Sequence, residues 1–264
     1  MTADLAVPTS PVRVSFEAGI ARLTLNRPHR LNAFDTQMAH AWVAATTEAV
    51  SRDDVRAIIV DAAGPAFCAG GDVVAMAATM TRGPQLEELA ALINVGILAL
   101  TESAIPVVAA AHGATAGGGI GILLSSDYAV VGESSRIGSR YAQVGLTPDL
   151  SVSAHLAAAV GQRRALQLLL SDRMLPADEA REWGMVAEIV PDDSVAVRAH
   201  EIARAWADGA AGAYGHAKRL VRTREDRTFA AQLAEEARSI GAAFDTPDAR
   251  ERVAAFAARS TAPR

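Results

Sequence analysis

The chain has 264 residues, half of them hydrophobic, with a formal net charge of −5 and a single cysteine. That length can bury a sizeable core, and the negative balance offers no general attraction to nucleic acid or acidic membranes. The lone Cys68 excludes an intramolecular disulfide and any multi-cysteine zinc site, which fits a reducing cytoplasm.

The opening "MTADLAVPTSPVRVSF" has no basic patch followed by an apolar stretch, so no secretory signal is expected. Alternation over Val12 to Asn26, broken at Ala18-Gly19, predicts a β-hairpin. Asp35 then suits the N-cap of an amphipathic helix from about Thr36 to Val50. Short apolar runs at 57–62, 106–113, 127–132 and 186–190 read as strands buried on both faces, separated by helical stretches. These include about Gln85 to Ser103, then "SAHLAAAVG" and "RRALQLLLSD". Strand-then-helix order argues for an α/β core whose chain keeps returning to the same sheets. No run of about 18 apolar residues reads as a membrane span. After Pro191 the strand signals stop, and an Ala-, Arg- and Glu-rich helical region follows. The predicted division is therefore a core over 1–191 and a helical region over 192–264, too small to bury a core of its own. Its "RLVRTREDR" (219–227) has acids among its arginines and reads as a solvated helix face.

Two segments share one design. Strand 57–62 runs into "GPAFCAGGDVVAM" and strand 106–113 into "ATAGGGIGILL". Glycine lets a backbone approach a ligand closely, and the first turn of a helix leaves N–H groups without intrahelical partners. Two such turns side by side can aim two N–H donors at one oxygen and stabilise a thioester enolate. Tight helix–strand packing explains either turn equally well on its own. Neither turn matches the phosphate-binding G-x-x-x-x-G-K-[ST] loop or the G-x-G-x-x-G dinucleotide fingerprint. Cys68, inside "FCAGGD", reads as core, and His112 and His155 stand apart from any nucleophile or metal-ligand cluster. Trp42, Trp183 and Trp206 fall on predicted helices as packing residues.

"LNRPHRLNAF" (25–34), "FCAGGDV" (67–73), "HGATAGGGIG" (112–121) and "DEAREWGMVAEIVP" (178–191) occur in the order and at roughly the spacing of the crotonase, or enoyl-CoA hydratase/isomerase, family. The chain resembles that family over nearly its whole length. The resemblance implies a crotonase-like α/β spiral of repeated ββα units, with a C-terminal helical region that trimerises, often as a dimer of trimers. It implies an acyl-CoA thioester as substrate, with no metal and no cofactor beyond the coenzyme A that the substrate carries. By position, the oxyanion donors would be the N–H groups of Gly71 and Gly118. The coenzyme would lie along Arg30, Leu31, Ala33, Ala69 and Asp72, mostly through backbone atoms, with Phe244 and Arg259 helping to close its site.

Hydratases of this family use two glutamates to activate water. The matching positions here are Gly121 and Tyr141, and neither can deprotonate water as a carboxylate can. Gly121 would instead leave room for the acyl chain, and Tyr141 would line the acyl pocket, hydrogen-bond near the base or simply pack. Asp149, in "GLTPD", occupies the position of the Asp of several Δ3,Δ2-enoyl-CoA isomerases, including phenylacetate-pathway ring-epoxide isomerases. One carboxylate suffices to move a proton between the α and γ carbons of a 3-enoyl thioester. The same Asp also suits the N-cap of the helix that follows. The expected activity is therefore an acyl-CoA double-bond isomerase. A hydratase or a catalytically silent acyl-CoA-binding trimer are the alternatives. A dehalogenase would need a His base from 85–103, a stretch that contains none.

Overall fold

The computed structural model describes residues 10–260; the reading of a missing signal at 1–9 lies outside them. The predicted hairpin forms as β1 (Val12–Glu17) and β2 (Ile20–Leu25), turning through Ala18 and Gly19, both at positive φ. β3 (Ala57–Ala62), β4 (Val107–Ala111), β6 (Tyr128–Gly132) and β9 (Glu188–Val190) continue the sheet in the order β1-β2-β3-β4-β6-β9, parallel from β2 onward. Their apolar runs are covered on both faces, as parallel strands require. A second sheet, β5 (Ala114–Ala116), β7 (Arg136–Gly138) and β8 (Met174–Pro176), has only three-residue strands, too short to leave a periodic signal in sequence.

The ββα unit is visible twice. β4 passes to β5 and then to α4 (Gly118–Leu124), and β6 passes to β7 and then to α5 (Val152–Leu169). After β3 the second strand shrinks to a parallel bridge between Cys68 and Thr115, and α2 (Val73–Thr79) follows. Each unit thus puts its first strand in the large sheet, pairs its second strand or bridge in the small one, and passes into a helix. α5 is two helical pieces joined at Gly161 (φ 79°, ψ 154°), which is where the sequence divides "SAHLAAAVG" from "RRALQLLLSD".

One side of the large sheet packs on α1 (Thr36–Ser51) and α3 (Gly83–Glu102). These two helices approach closely because a Cβ at Gly96 would stand 2.2 Å from the Trp42 indole nitrogen. Trp42 donates that N–H to the Ile93 carbonyl at 3.2 Å. The other side is covered by α7 (Val195–Asp208), whose Val195, Ala199, Ala203 and Ala207 bury against Ile59, Val108 and Val130. The first helix beyond Pro191 therefore completes the core. α6 (Ala177–Trp183) leads into β9, and α8 (Ala211–Arg222), α9 (Phe229–Phe244) and α10 (Pro247–Ser260) follow α7.

The 219–227 stretch is not simply a solvated face. Arg222 turns inward to donate to the Ser126 carbonyl (2.8 Å) and pairs with Asp127 (3.0 Å). Lys218 beside it is buried, donating to the carbonyls of Leu100 and Ile105 and pairing with Asp127. Among the described residues no helix is long and apolar enough to cross a membrane.

Candidate active site

The two glycine turns meet. Beyond the Cys68–Thr115 bridge, the Ala116 N–H donates to the Cys68 carbonyl at 2.9 Å, and a Cβ on Gly70 would stand 3.0 Å from the Gly118 nitrogen. Gly71 forms a parallel bridge with Phe34, flanked by Phe34 N–H to Gly70 carbonyl (2.7 Å) and Asp72 N–H to Phe34 carbonyl (2.9 Å). These bonds use the neighbours and leave the Gly71 N–H over. Gly118 opens α4, so its N–H has no intrahelical partner. Among the described residues neither the Gly71 nor the Gly118 N–H has an acceptor.

The glycines divide the work. Gly117 sits at φ 52°, ψ −128°, a conformation closed to other residues, and its N–H is shared between the Gly138 and Ser139 carbonyls. At Gly119 a Cβ would meet the Cys68 carbonyl oxygen at 2.3 Å, which is the tight-packing role. Gly121 does not leave room for an acyl chain: a Cβ there would stand 1.8 Å from the Leu150 carbonyl oxygen. Main chain fills the space, so that expectation is corrected.

The segment that fills it carries Asp149. Arg140, Leu150 and Ser151, none of them glycine, adopt positive φ (81°, 49° and 67°), and together they fold 140–151 back over α4. The Leu150 side chain lies on Gly118, and Asp149 Oδ1 is 3.5 Å from where a Gly118 Cβ would be. Tyr141, buried at 8% exposure, donates its phenol to the same Oδ1 at 2.5 Å. Burial pushes the Asp149 carboxyl up from its ordinary value, only partly offset by the Tyr141 hydrogen bond and its own N–H. Burial and the Asp149 charge push the Tyr141 phenol up, keeping it a donor. Asp149 is not the cap of α5: Ser151 holds that place without a side-chain cap bond, while the Asp149 carbonyl accepts the Val152 N–H at 2.9 Å.

Arg30 and Asp72 lie together beside the first glycine turn. Asp72 caps α2 by accepting the Ala75 N–H at 3.0 Å and pairs with Arg30 (2.9 Å) and Arg27 (3.2 Å). Burial alone would raise this carboxyl, but hydrogen bonds from Arg30, the Ala75 N–H and Arg27 outweigh it and hold it at about 2. Its side chain is thus committed to structure. Leu31 is exposed and Ala33 buried, and the Ala69 N–H donates to the Leu31 carbonyl at 3.0 Å. Asn32, invisible as a functional residue in sequence, is fully buried at φ 56°. It bonds the Ala63 and Ala66 carbonyls (2.9 and 2.8 Å) and accepts the Arg27 N–H (2.7 Å), fastening this loop to the first glycine turn.

Cys68 is fully buried, and burial pushes its thiol up to about 12, so it is no nucleophile. His112 bonds the Gly64 carbonyl. Phe244 and Arg259 are exposed on α9 and α10. A cavity of about 210 Å³ lies beside Gly71, walled by Phe34, Asp72, Met76, Met80 and Leu89. A larger open groove of about 570 Å³ runs along α6 past Asp178, Glu179 and Arg181 and touches no residue of this site.

Residues 15–263 match the family model described as enoyl-CoA hydratase/isomerase. The chain is 33% identical over 247 residues to the 1,2-epoxyphenylacetyl-CoA isomerase of Escherichia coli strain K12, covering 92% of this chain and 94% of that one. A protein of Rhodobacter capsulatus named a probable enoyl-CoA hydratase is 34% identical over 248 residues, 93% and 94% of the two chains. The solved enoyl-CoA hydratase of Mycobacterium smegmatis superposes with a TM-score of 0.88 at 26% identity, covering 94% of this chain and 96% of that one. With its paired sheets, joined glycine turns and end-to-end match, this chain belongs to the enoyl-CoA hydratase/isomerase family of the crotonase superfamily.

Proposed function

We propose that the protein is an acyl-CoA double-bond isomerase of the Δ3,Δ2 type, with Asp149 as the proton shuttle. The observation that carries this reading is the Asp149 carboxylate beside Gly118, held by a phenol at the position where the family's hydratases are expected to keep a glutamate. The thioester carbonyl would sit between the N–H groups of Gly71 and Gly118, each such donor being worth roughly 3–4 kcal/mol of barrier. Asp149 takes a proton from the α carbon of a 3-enoyl thioester. The electron pair spreads over the dienolate to the carbonyl oxygen, and the proton returns at the γ carbon, leaving the 2-enoyl product. A base whose pKa is raised by burial accepts that proton more readily than a solvated carboxylate. Hydration would need a second group to activate water, and Gly121 and Tyr141 supply no carboxylate for it.

The coenzyme would run along Arg30, Leu31, Ala33 and Ala69, and the reading calls for no metal. Exposed Val221, Phe229 and Ile240 in the helical region suit burial between subunits of a trimer or a dimer of trimers, where Phe244 and Arg259 would meet a neighbour's coenzyme site. The Escherichia coli relative makes an aryl acyl thioester the second substrate class to try.

The test is incubation of wild type and Asp149→Asn with 3-hexenoyl-CoA and 2-hexenoyl-CoA in deuterated water. Bond position, deuterium uptake and 3-hydroxyacyl product are followed by NMR and mass spectrometry. Bond migration that falls on the order of 10²–10⁴-fold in the variant is expected. Hydration that survives the substitution would overturn the reading.

A further inference from the structure

Asp149 is presented by two consecutive non-glycine residues in the left-handed region, Leu150 and Ser151. Such residues persist only where their surroundings over-determine them, and they cluster at functional sites. Leu150 is pinned from one side, its carbonyl in the space at Gly121 and its side chain on Gly118. What pins Ser151 from the other side is His155, one helical turn along α5.

The Ser151 carbonyl accepts the His155 N–H at 2.8 Å, and the Ser151 hydroxyl lies 3.0 Å from His155 Nδ1. His155 Nε2 faces the Arg222 guanidinium at 3.5 Å. A guanidinium can only donate, so this contact suits a ring whose Nε2 is unprotonated and whose Nδ1 carries the proton, which would then donate to the Ser151 hydroxyl. Arg222 is itself fixed by the carbonyls of Ser125 and Ser126 and by Asp127. Helix α8 therefore sets a donor against a histidine that in turn contacts the residue two places beyond the base.

We propose that His155 is a positioning residue for Asp149, acting through the Ser151 hydroxyl, with Arg222 fixing its tautomer. This rests on Asp149 being the catalytic base, but the link itself can be read without substrate. The chain has three tyrosines, so tyrosine labelled with ¹³C at Cζ gives three resonances, and Tyr141 is assigned by its loss in Tyr141→Phe. Asp149→Ala supplies the shift of a phenol deprived of its carboxylate.

In His155→Leu and in Ser151→Ala the Tyr141 resonance is expected to move toward that reference. In His155→Asn, whose amide nitrogen falls near the Nδ1 position, it is expected to stay. Isomerisation of 3-hexenoyl-CoA should follow the same order, kcat falling about tenfold or more in His155→Leu with KM within about twofold, and recovering in His155→Asn. The double variant should be no worse than either single one. An unmoved resonance in His155→Leu overturns the proposal, as does equal movement in His155→Leu and His155→Asn, which would mean a packing role. If Asp149→Asn keeps wild-type isomerisation, the base assignment fails, whereas the resonance order still decides whether His155 holds the segment.

Discussion

The Tyr141 phenol donates to Asp149 Oδ1 at 2.5 Å across eight residues of chain, so the base and the group that tempers it are carried by one loop. The hydrogen bond favours the ionised carboxylate and partly cancels the upward push of burial. Removing the phenol takes away only the lowering influence, so in Tyr141→Phe the Asp149 carboxyl titrates at higher pH than in wild type. The acid limb of kcat/KM for 3-hexenoyl-CoA should move upward. Measured on that limb, the rate should fall more than it does on the high-pH plateau. A limb that stays in place or moves to lower pH contradicts the arrangement.

The same burial makes Asp149 a stability cost. Its pKa is raised in the folded state, so the folded protein holds this proton to higher pH than the unfolded chain does. Stability is lost as pH rises from the unfolded value through the folded one, and the whole cost is present above both. Asp149→Asn keeps an oxygen to accept the Tyr141 hydrogen bond and carries no charge. Its Tm should exceed that of wild type near pH 8. The gain should vanish near pH 4. Differential scanning calorimetry across that range checks it, and a variant less stable at every pH would refute it.

The glycines should respond in a definite order to alanine. A Cβ at Gly71 meets only the flexible end of Met76, so Gly71→Ala should lose less than about 1 kcal/mol, in the range of tolerated core swaps. At Gly119 and Gly121 the obstacles are the carbonyl oxygens of Cys68 and Leu150, which are backbone and cannot step aside. Those variants should lose about 3 kcal/mol or more by urea unfolding, at or beyond the top of the usual overpacking range. Gly121→Glu, which restores a glutamate at the hydratase position, should therefore destabilise the fold instead of creating a hydratase. Equal unfolding midpoints across the series would show that the turns yield to an added side chain.

The parts of the fold visible in sequence were those with period or punctuation: the hairpin around Ala18-Gly19, the buried strands 57–62 and 106–113, the Asp35 cap and the break at Gly161. The three-residue strands β5, β7 and β8 were not, because a half-turn of alternation is no pattern and their pairing is set by tertiary contact. At the candidate site, motif order pointed to Gly71 and Gly118 and the family position to Asp149, which the structure sets against Gly118. What spacing could not tell was which glycine admits a ligand and which admits main chain, since both look alike until Leu150 is placed against Gly121. The roles of Asn32 and His155 escaped the sequence for a related reason, His155 reading there only as an isolated histidine. Asn32 sits inside the 25–34 motif, but its partners are the distant carbonyls of Ala63 and Ala66, and His155 acts through a hydroxyl one helical turn away, a contact that no motif marks.

Asp72 offers a test with the opposite sign from Asp149. Its carboxyl is held at about 2 by hydrogen bonds from Arg30, the Ala75 N–H and Arg27 acting against burial. A carboxylate with a lowered folded-state pKa contributes stability that is present above the unfolded value and disappears as pH falls through the folded one. From the ordinary 3.8 to about 2 the ceiling is about 2 kcal/mol at neutral pH, trimmed because Arg30 is about a third exposed. Asp72→Asn leaves the Arg27–Asp35 pair at 2.8 Å in place and keeps an oxygen to cap α2, so the loss should fall on the two arginine contacts. Urea unfolding should find the variant weaker by about 1–2 kcal/mol at pH 7, with the gap between variant and wild type closing as pH is lowered from 4 toward 2. A gap that widens in acid would mean that the carboxylate is not what the two arginines hold.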